Sequence, residues 1–171
     1  NSFDTEICRH CQAPMALAHQ AKMQKVAPQL VATIGSADAG KTVYLGMLTD
    51  MLSRTSEDLQ LLARGAFSVS LQQMTMASLS NCEFPDKTPN EPDRWNWIHC
   101  QVRSKRKRHP AELIMPDLSG EAILEEIDHP HTYPVIQAFL KKCSGVLVLV
   151  DAARLMDGEK DQDFFAMKIL S

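Results

Sequence analysis

Gly35-Ser36-Ala37-Asp38-Ala39-Gly40-Lys41-Thr42 fits the pattern G-x-x-x-x-G-K-[ST] at every fixed position. The glycines let the backbone turn tightly enough for successive N–H groups to face phosphate oxygens. Lys41 brings a cation towards the β- and γ-phosphates, and the Thr42 hydroxyl can ligate Mg²⁺. The start of the following helix adds a partial positive charge at the same point. Gly35, Asp38, Ala39, Gly40, Lys41, Thr42 and the following Val43 are therefore the candidate nucleotide-contacting residues. The stretch implies a nucleoside triphosphate as ligand.

The flanking sequence supports that reading over an ordinary glycine turn. Leu30-Val31-Ala32-Thr33-Ile34 is a short apolar run of the kind expected for a strand buried on both faces. Downstream, Leu45, Leu48, Met51 and Leu52 fall on one side of a helix expected from Lys41 to about Glu57. Strand, loop and helix thus occur in the order that phosphate binding requires.

Composition bounds the rest. The 171 residues carry a formal charge of -3 and are 44% hydrophobic, as in a globular chain with one sizeable core. That charge gives no overall pull towards nucleic acid or membranes, and no apolar stretch approaches the ~20 residues that span a bilayer. No signal-peptide pattern opens the sequence. The five cysteines are an odd number, with Cys82, Cys100 and Cys143 isolated, which speaks against a disulfide framework and for a reducing cytoplasm. Cys8-Arg9-His10-Cys11 is a C-x-x-C knuckle, half of a zinc ribbon, to which His10 or His19 could add nitrogen ligands. No second pair is visible. The sequence begins at Asn1, so the other half would lie upstream. Two readings stay open for Cys8 and Cys11, a Zn²⁺ site and a pair of unmetallated thiols.

Further along, the apolar residues from Asp58 to Ser80 are compatible with one or two helices broken near Gly65. Glu83 to Asp93 holds three prolines and reads as a mobile loop. Trp95 to Arg103 alternates as a half-buried strand should, with Ile98, Cys100 and Val102 on one face and Trp97, His99 and Gln101 on the other. Ala111 to Met115 forms its hairpin partner. The turn between them, residues 103–109, is strongly basic, and a solvated tip is favoured there over nucleic acid or lipid headgroups because no aromatic residue is interleaved.

Pro116-Asp117-Leu118-Ser119-Gly120-Glu121 follows the second hairpin strand and leads into a helix ending at Asp128. His129 and His131 read as loop residues around Pro130, since no ligand cluster accompanies them. A short helix from Val135 to Lys142 precedes Gly145-Val146-Leu147-Val148-Leu149-Val150-Asp151, which reads as a central strand buried on both faces.

The phosphate loop, D-x-x-G at the end of a hairpin strand, and an apolar strand ending in Asp151-Ala152 together resemble the translation-factor-related class of P-loop GTPases. The knuckle, the insertion and Asp117-Leu118-Ser119-Gly120-Glu121 resemble, within that class, bacterial double-GTPase-like domains. The resemblance implies an α/β three-layer sandwich with a mostly parallel sheet and one antiparallel hairpin strand. It divides the chain into a knuckle-like lead-in, 1–25, and a GTPase-like domain, 26–171, with an insertion at about 58–93 and the C-terminal part of the fold lying past Ser171. It further implies GTP or GDP with Mg²⁺ as cofactors, Asp117 reaching the metal through water, and Gly120 meeting the γ-phosphate through its N–H. Thr88 becomes the candidate threonine that closes over the metal, and Glu121 stands where many relatives have the glutamine that orients the attacking water. Lys41, Thr88 and Glu121 are thus the candidate catalytic residues.

These readings describe a cytoplasmic GTPase switch acting on a protein partner or through self-association. Two alternatives stand beside it: a P-loop ATPase with Asp151 as the metal-facing carboxylate, and a nucleotide-binding scaffold without useful hydrolysis. The strand order separates the first two, because a strand of Val146 lying between those of Leu30 and Ala111 would favour the ATPase.

Overall fold

The computed structural model describes residues 5–9, 13–24, 26–54, 58–107, 109–157 and 167–168. The elements run α1 (Met15–Gln24), β1 (Gln29–Gly35), α2 (Lys41–Ser53), β2 (Leu59–Arg64), α3 (Gly65–Ser80), β3 (Trp97–Ser104), β4 (Ala111–Pro116), α4 (Gly120–Asp128), α5 (Pro134–Leu140), β5 (Gly145–Leu149) and α6 (Ala152–Met156). The strands form one sheet in the order β2-β3-β4-β1-β5. β1 pairs in parallel with both β4 and β5, whereas β3 is antiparallel to β4 and to β2. β3 alone therefore opposes the direction of the other strands, as the hairpin reading requires.

Helices cover both faces of the sheet and make the three layers. On one face Leu45 of α2 and Leu71 of α3 pack with Leu61, Ile98, Cys100 and Met115. On the other, Leu17 of α1, Ala122 and Ile123 of α4, and Val135, Ile136 and Phe139 of α5 pack with Ala32, Ile34, Trp97 and Ile114. The pleat explains the division, since successive residues of β1, β3 and β4 point to alternate faces. Both apolar faces are removed from water, which is the main force holding the layers together.

The observed strands depart from sequence expectation at three points. Leu59 to Arg64 is a strand, not the start of a helix, and pairs with β3 from Leu59↔Ser104 to Arg64↔His99. β3 is buried on both faces through Gln101, not half-buried, because α1 lies over its polar side. There His99 Nε2 is 2.8 Å from Glu112 Oε2 and His99 Nδ1 is 3.0 Å from Gln20 Oε1, so the polar groups are hydrogen-bonded although buried. β5 is the outer strand of the described sheet, not a central one, with Val146 47% and Val148 44% exposed. α2 also ends at Ser53, short of the expected Glu57, and residues 55–57 lie outside the described ones.

Candidate functional site

β1 delivers Gly35 to the top of the sheet, and the chain turns through Ser36–Gly40 before entering α2. Two residues in this turn have positive φ, Asp38 at 62° and Gly40 at 81°. Gly40 carries no Cβ penalty there and caps the N-terminus of α2 without a side-chain hydrogen bond, leaving the first-turn N–H groups directed at the cleft. The cleft has a volume of about 520 Å³ and is lined by the loop, by Thr42, Val43 and Tyr44, by the segment 84–88, and by Ser119 and Gly120. That is the size of an ordinary small-molecule site.

Lys41 is buried, and its Nζ donates to the carbonyls of Gly35 (2.9 Å) and Ser36 (2.7 Å). The loop thus folds around its own cation. Burial pushes the Lys41 ammonium down to about 8; Asp117 and Asp38 oppose the shift, and Lys87 adds to it. A polyanion entering the cleft would reverse the dominant penalty by supplying the missing countercharge.

Three oxygen-bearing side chains from distant parts of the sequence converge beside Lys41. Thr42 Oγ1 donates to Asp117 Oδ2 at 2.9 Å, Thr88 Oγ1 donates to the same oxygen at 3.1 Å, and the two hydroxyls are 3.1 Å apart. With both hydroxyl protons spent on the carboxylate, the two threonine oxygens face each other through lone pairs. Asp117 Oδ1 is buried with no hydrogen-bond partner among the described residues. An unpaired buried carboxylate oxygen is costly. Burial raises Asp117 above the usual carboxylate range, against the hydrogen bonds of Thr42 and Thr88 and the charge of Lys41. Adjacent ligands of an octahedral Mg²⁺ lie about 2.9 Å apart, given Mg–O distances of about 2.0–2.1 Å. One carboxylate and two hydroxyls fit part of the shell of a hard divalent cation in ligand type and spacing.

Gly120 opens α4 against the phosphate loop. A Cβ placed on it would lie 2.5 Å from Ala37 N and 2.8 Å from Gly35 O, contacts that backbone atoms cannot relieve cheaply. Only glycine permits this approach. Ser119 caps α4 by accepting from Ala122 N, and its hydroxyl donates to Asn90 Oδ1. Glu121 points away from the loop floor to the cleft rim, where Lys87 and Asn90 both donate to it. Those hydrogen bonds, Lys87 first, hold Glu121 below its ordinary range.

The structure therefore brings together Gly35, Asp38, Ala39, Gly40, Lys41, Thr42, Val43, Thr88, Asp117, Gly120 and Glu121. The loop expected to be mobile is tied down at Lys87–Asn90, and the Trp95 indole fixes it further by donating to the Pro89 carbonyl at 2.8 Å. Asp151 is elsewhere: it caps α6, accepting from Ala153 N and Arg154 N. Lys87, Asn90 and Ser119 are site residues that sequence reasoning passed over, although their polar character beside Thr88 and Asp117 was a usable signal. Cys8 is partly buried, and its N–H donates to Ala13 O. His10 and Cys11 lie outside the described residues, and so does Arg108 of the basic turn. Among the described residues no group of three metal-ligating His, Cys, Asp or Glu side chains occurs, and no helix is long and apolar enough to cross a membrane.

A parallel strand-loop-helix cradle with a threonine–aspartate cluster beside it defines a P-loop nucleotide-binding protein. The family model for Double-GTPase 1 matches residues 32–168, and the chain belongs to that family. No curated protein and no solved structure matches the chain.

Proposed function

We propose that this chain binds GTP with Mg²⁺ in the cleft, hydrolyses it slowly, and uses the terminal phosphate to order the segments around Thr88 and Gly120 for a protein partner or for self-association. The observation that carries this reading is the convergence of Thr42, Thr88 and Asp117 beside Lys41, with Asp117 Oδ1 unpaired. Thr42 and Thr88 would hold the metal, with Asp117 reaching it through water. Bound Mg²⁺ would neutralise phosphate charge.

The chain's own residues supply the remainder. Lys41 exchanges the carbonyls of Gly35 and Ser36 for phosphate oxygens, and N–H groups of the first turn of α2 would face the phosphates. Gly120 brings the start of α4 close enough for its N–H to reach a terminal phosphate. The position of β4 directly beside β1, with β5 outside, favours the GTPase over the ATPase reading, since the D-x-x-G carboxylate then stands next to the loop. Membership of the double-GTPase family supports guanine as the base. The separate thiols of Cys82, Cys100 and Cys143 support a reducing compartment, read here as the cytoplasm. Cys8 and Cys11 are kept as a candidate zinc knuckle, tested by metal analysis of the purified chain.

Calorimetric titration of the chain with GTP, GDP and ATP in Mg²⁺ tests the function. The expected result is tight GTP binding that Lys41→Ala weakens by about 100-fold or more, through loss of a charge-assisted phosphate contact. Unchanged affinity in Lys41→Ala would overturn the reading.

A further inference from the structure

Lys41 is not the only cation of the cleft that rests on a substitute acceptor. Lys87 immediately precedes Thr88, whose hydroxyl reaches Thr42 and Asp117, so the backbone at Lys87 is anchored at the metal-binding end of the cleft. Its Nζ donates to Glu121 Oε1, and Glu121 directly follows Gly120, the residue whose backbone touches the phosphate loop at Ala37 and Gly35. Lys87 is therefore fixed between the two segments that flank the terminal-phosphate end of the loop. Its charge is felt across the cleft, since Lys87 disfavours the charged form of Lys41 and is itself favoured by Asp38.

We propose that Lys87 is a terminal-phosphate ligand, and that its ion pair with Glu121 is a latch that a nucleoside triphosphate opens and a diphosphate does not. The inference rests on the nucleotide-binding function proposed above and adds to it the residue that distinguishes the two nucleotides. Magnitudes favour the exchange. The Lys87 and Glu121 side chains are 52% and 48% exposed, and such pairs contribute little to stability because water and salt screen them. A terminal phosphate offers several anionic oxygens in place of one carboxylate, in a cleft where Lys41 already favours anions. Glu121 keeps a second partner in Asn90 when Lys87 leaves, and Asn90 also accepts from Ser119, the cap of α4. Opening the latch thus changes the contacts between the 87–90 segment and the first turn of α4 without stripping Glu121 of hydrogen bonds. A diphosphate lacks the group that reaches Lys87, so the latch stays closed.

The test is a double-mutant cycle of Lys87→Ala and Glu121→Gln, read by the affinities of a non-hydrolysable GTP analogue and of GDP in Mg²⁺. Lys87→Ala is expected to weaken the triphosphate analogue about tenfold and GDP less than about twofold, the size expected for one exposed charge-assisted contact. Glu121→Gln is expected to tighten the analogue by about threefold, because it frees Lys87, and to have no such effect in the Lys87→Ala background. Equal losses for both nucleotides, no loss for either, or a Glu121→Gln effect that persists without Lys87 would overturn the latch while leaving the nucleotide site intact. Failure of the unaltered chain to bind either nucleotide would overturn the latch and the proposed function together.

Discussion

Two strands flank β1, and each leads to an aspartate: β4 to Asp117 and β5 to Asp151. Only one of them meets the phosphate loop. Thr33 is level with Asp117 on one side and with Leu147 on the other, so Asp151 lies four residues further along its strand direction than Asp117 does. At about 3.3 Å per strand residue, the end of β5 at Leu149 is already roughly 7 Å further on, with Asp151 beyond it. Asp117 is consequently buried against Thr42 and Thr88, whereas Asp151 turns onto the N–H groups of α6. Two apolar strands with the same ending do different work because their registers against β1 differ. A carboxylate meets the side chains beside the loop when it stops level with it, and caps a helix when it overshoots.

The largest expected effect tests this contrast directly. Asp117→Asn should weaken Mg²⁺-dependent triphosphate binding by about 100-fold, while Asp151→Asn, which preserves an N-cap acceptor, should change it less than about twofold. Calorimetry in Mg²⁺ and in chelator measures both, and the opposite ranking would transfer the metal role to the β5 side.

A glycine on each side gives the next comparison. Gly120 has backbone of the phosphate loop within 3 Å of its missing Cβ, and Gly145 at the start of β5 has nothing within 4 Å. Gly120→Ala should therefore cost about 1–3 kcal/mol of stability by overpacking and reduce triphosphate affinity with it. Gly145→Ala should stay within about 0.5 kcal/mol, as a surface substitution usually does. Urea denaturation of both variants reads the difference, and equal costs would show that α4 is not wedged against the loop.

Acid–base behaviour sharpens the comparison further, since the perturbed groups are on the β4 side. Burial lowers Lys41, so without ligand its contribution to stability is present above the ordinary 10.5 and is lost as pH falls through about 8. Triphosphate binding needs the ammonium and should weaken as pH rises through about 8. Asp117 is raised, so its contribution is present below the ordinary 3.8 and is lost as pH rises through its folded value. Thermal unfolding without Mg²⁺ should show a loss of stability on leaving the acid range that disappears in Asp117→Asn. Persistence of that loss in the variant would assign it to another carboxylate.

Hydrolysis is the smallest effect expected. Glu121 is ionised, keeps Asn90 as a partner when Lys87 turns to phosphate, and can only accept hydrogen bonds, so it adds negative charge beside phosphate oxygens rather than orienting water as an amide would. Basal turnover should be slow, and Glu121→Ala should alter it less than about threefold, because no transition-state contact is removed. Single-turnover phosphate release measures it. Fast turnover lost in Glu121→Ala would give the carboxylate a direct part in activating water.

The phosphate loop was legible because its information is local: eight contiguous residues set the backbone turn, the cation and the hydroxyl. The hairpin was legible through alternation and turn residues, and D-x-x-G after it, with Asp117 and Gly120, through its resemblance to the family pattern. β2 was not, because Leu59-Gln60-Leu61-Leu62-Ala63-Arg64 lacks β-branched residues and becomes a strand through six pairings with β3, contacts that override a helical propensity. β5 misled in the other direction. Its apolar run fixes that it is a strand, but how much of each face is covered depends on neighbours that the run does not encode. The sequence by itself determined that this chain has a triphosphate cradle and a carboxylate suited to serve it. The tertiary structure decided that Asp117 and not Asp151 lies beside the loop, that Thr88 of the proline-rich loop reaches it, and that Lys87 lines the same cleft as Lys41. Register across a sheet and closure of a long loop are set by packing between residues far apart in the chain, and those distances are not written in any local stretch.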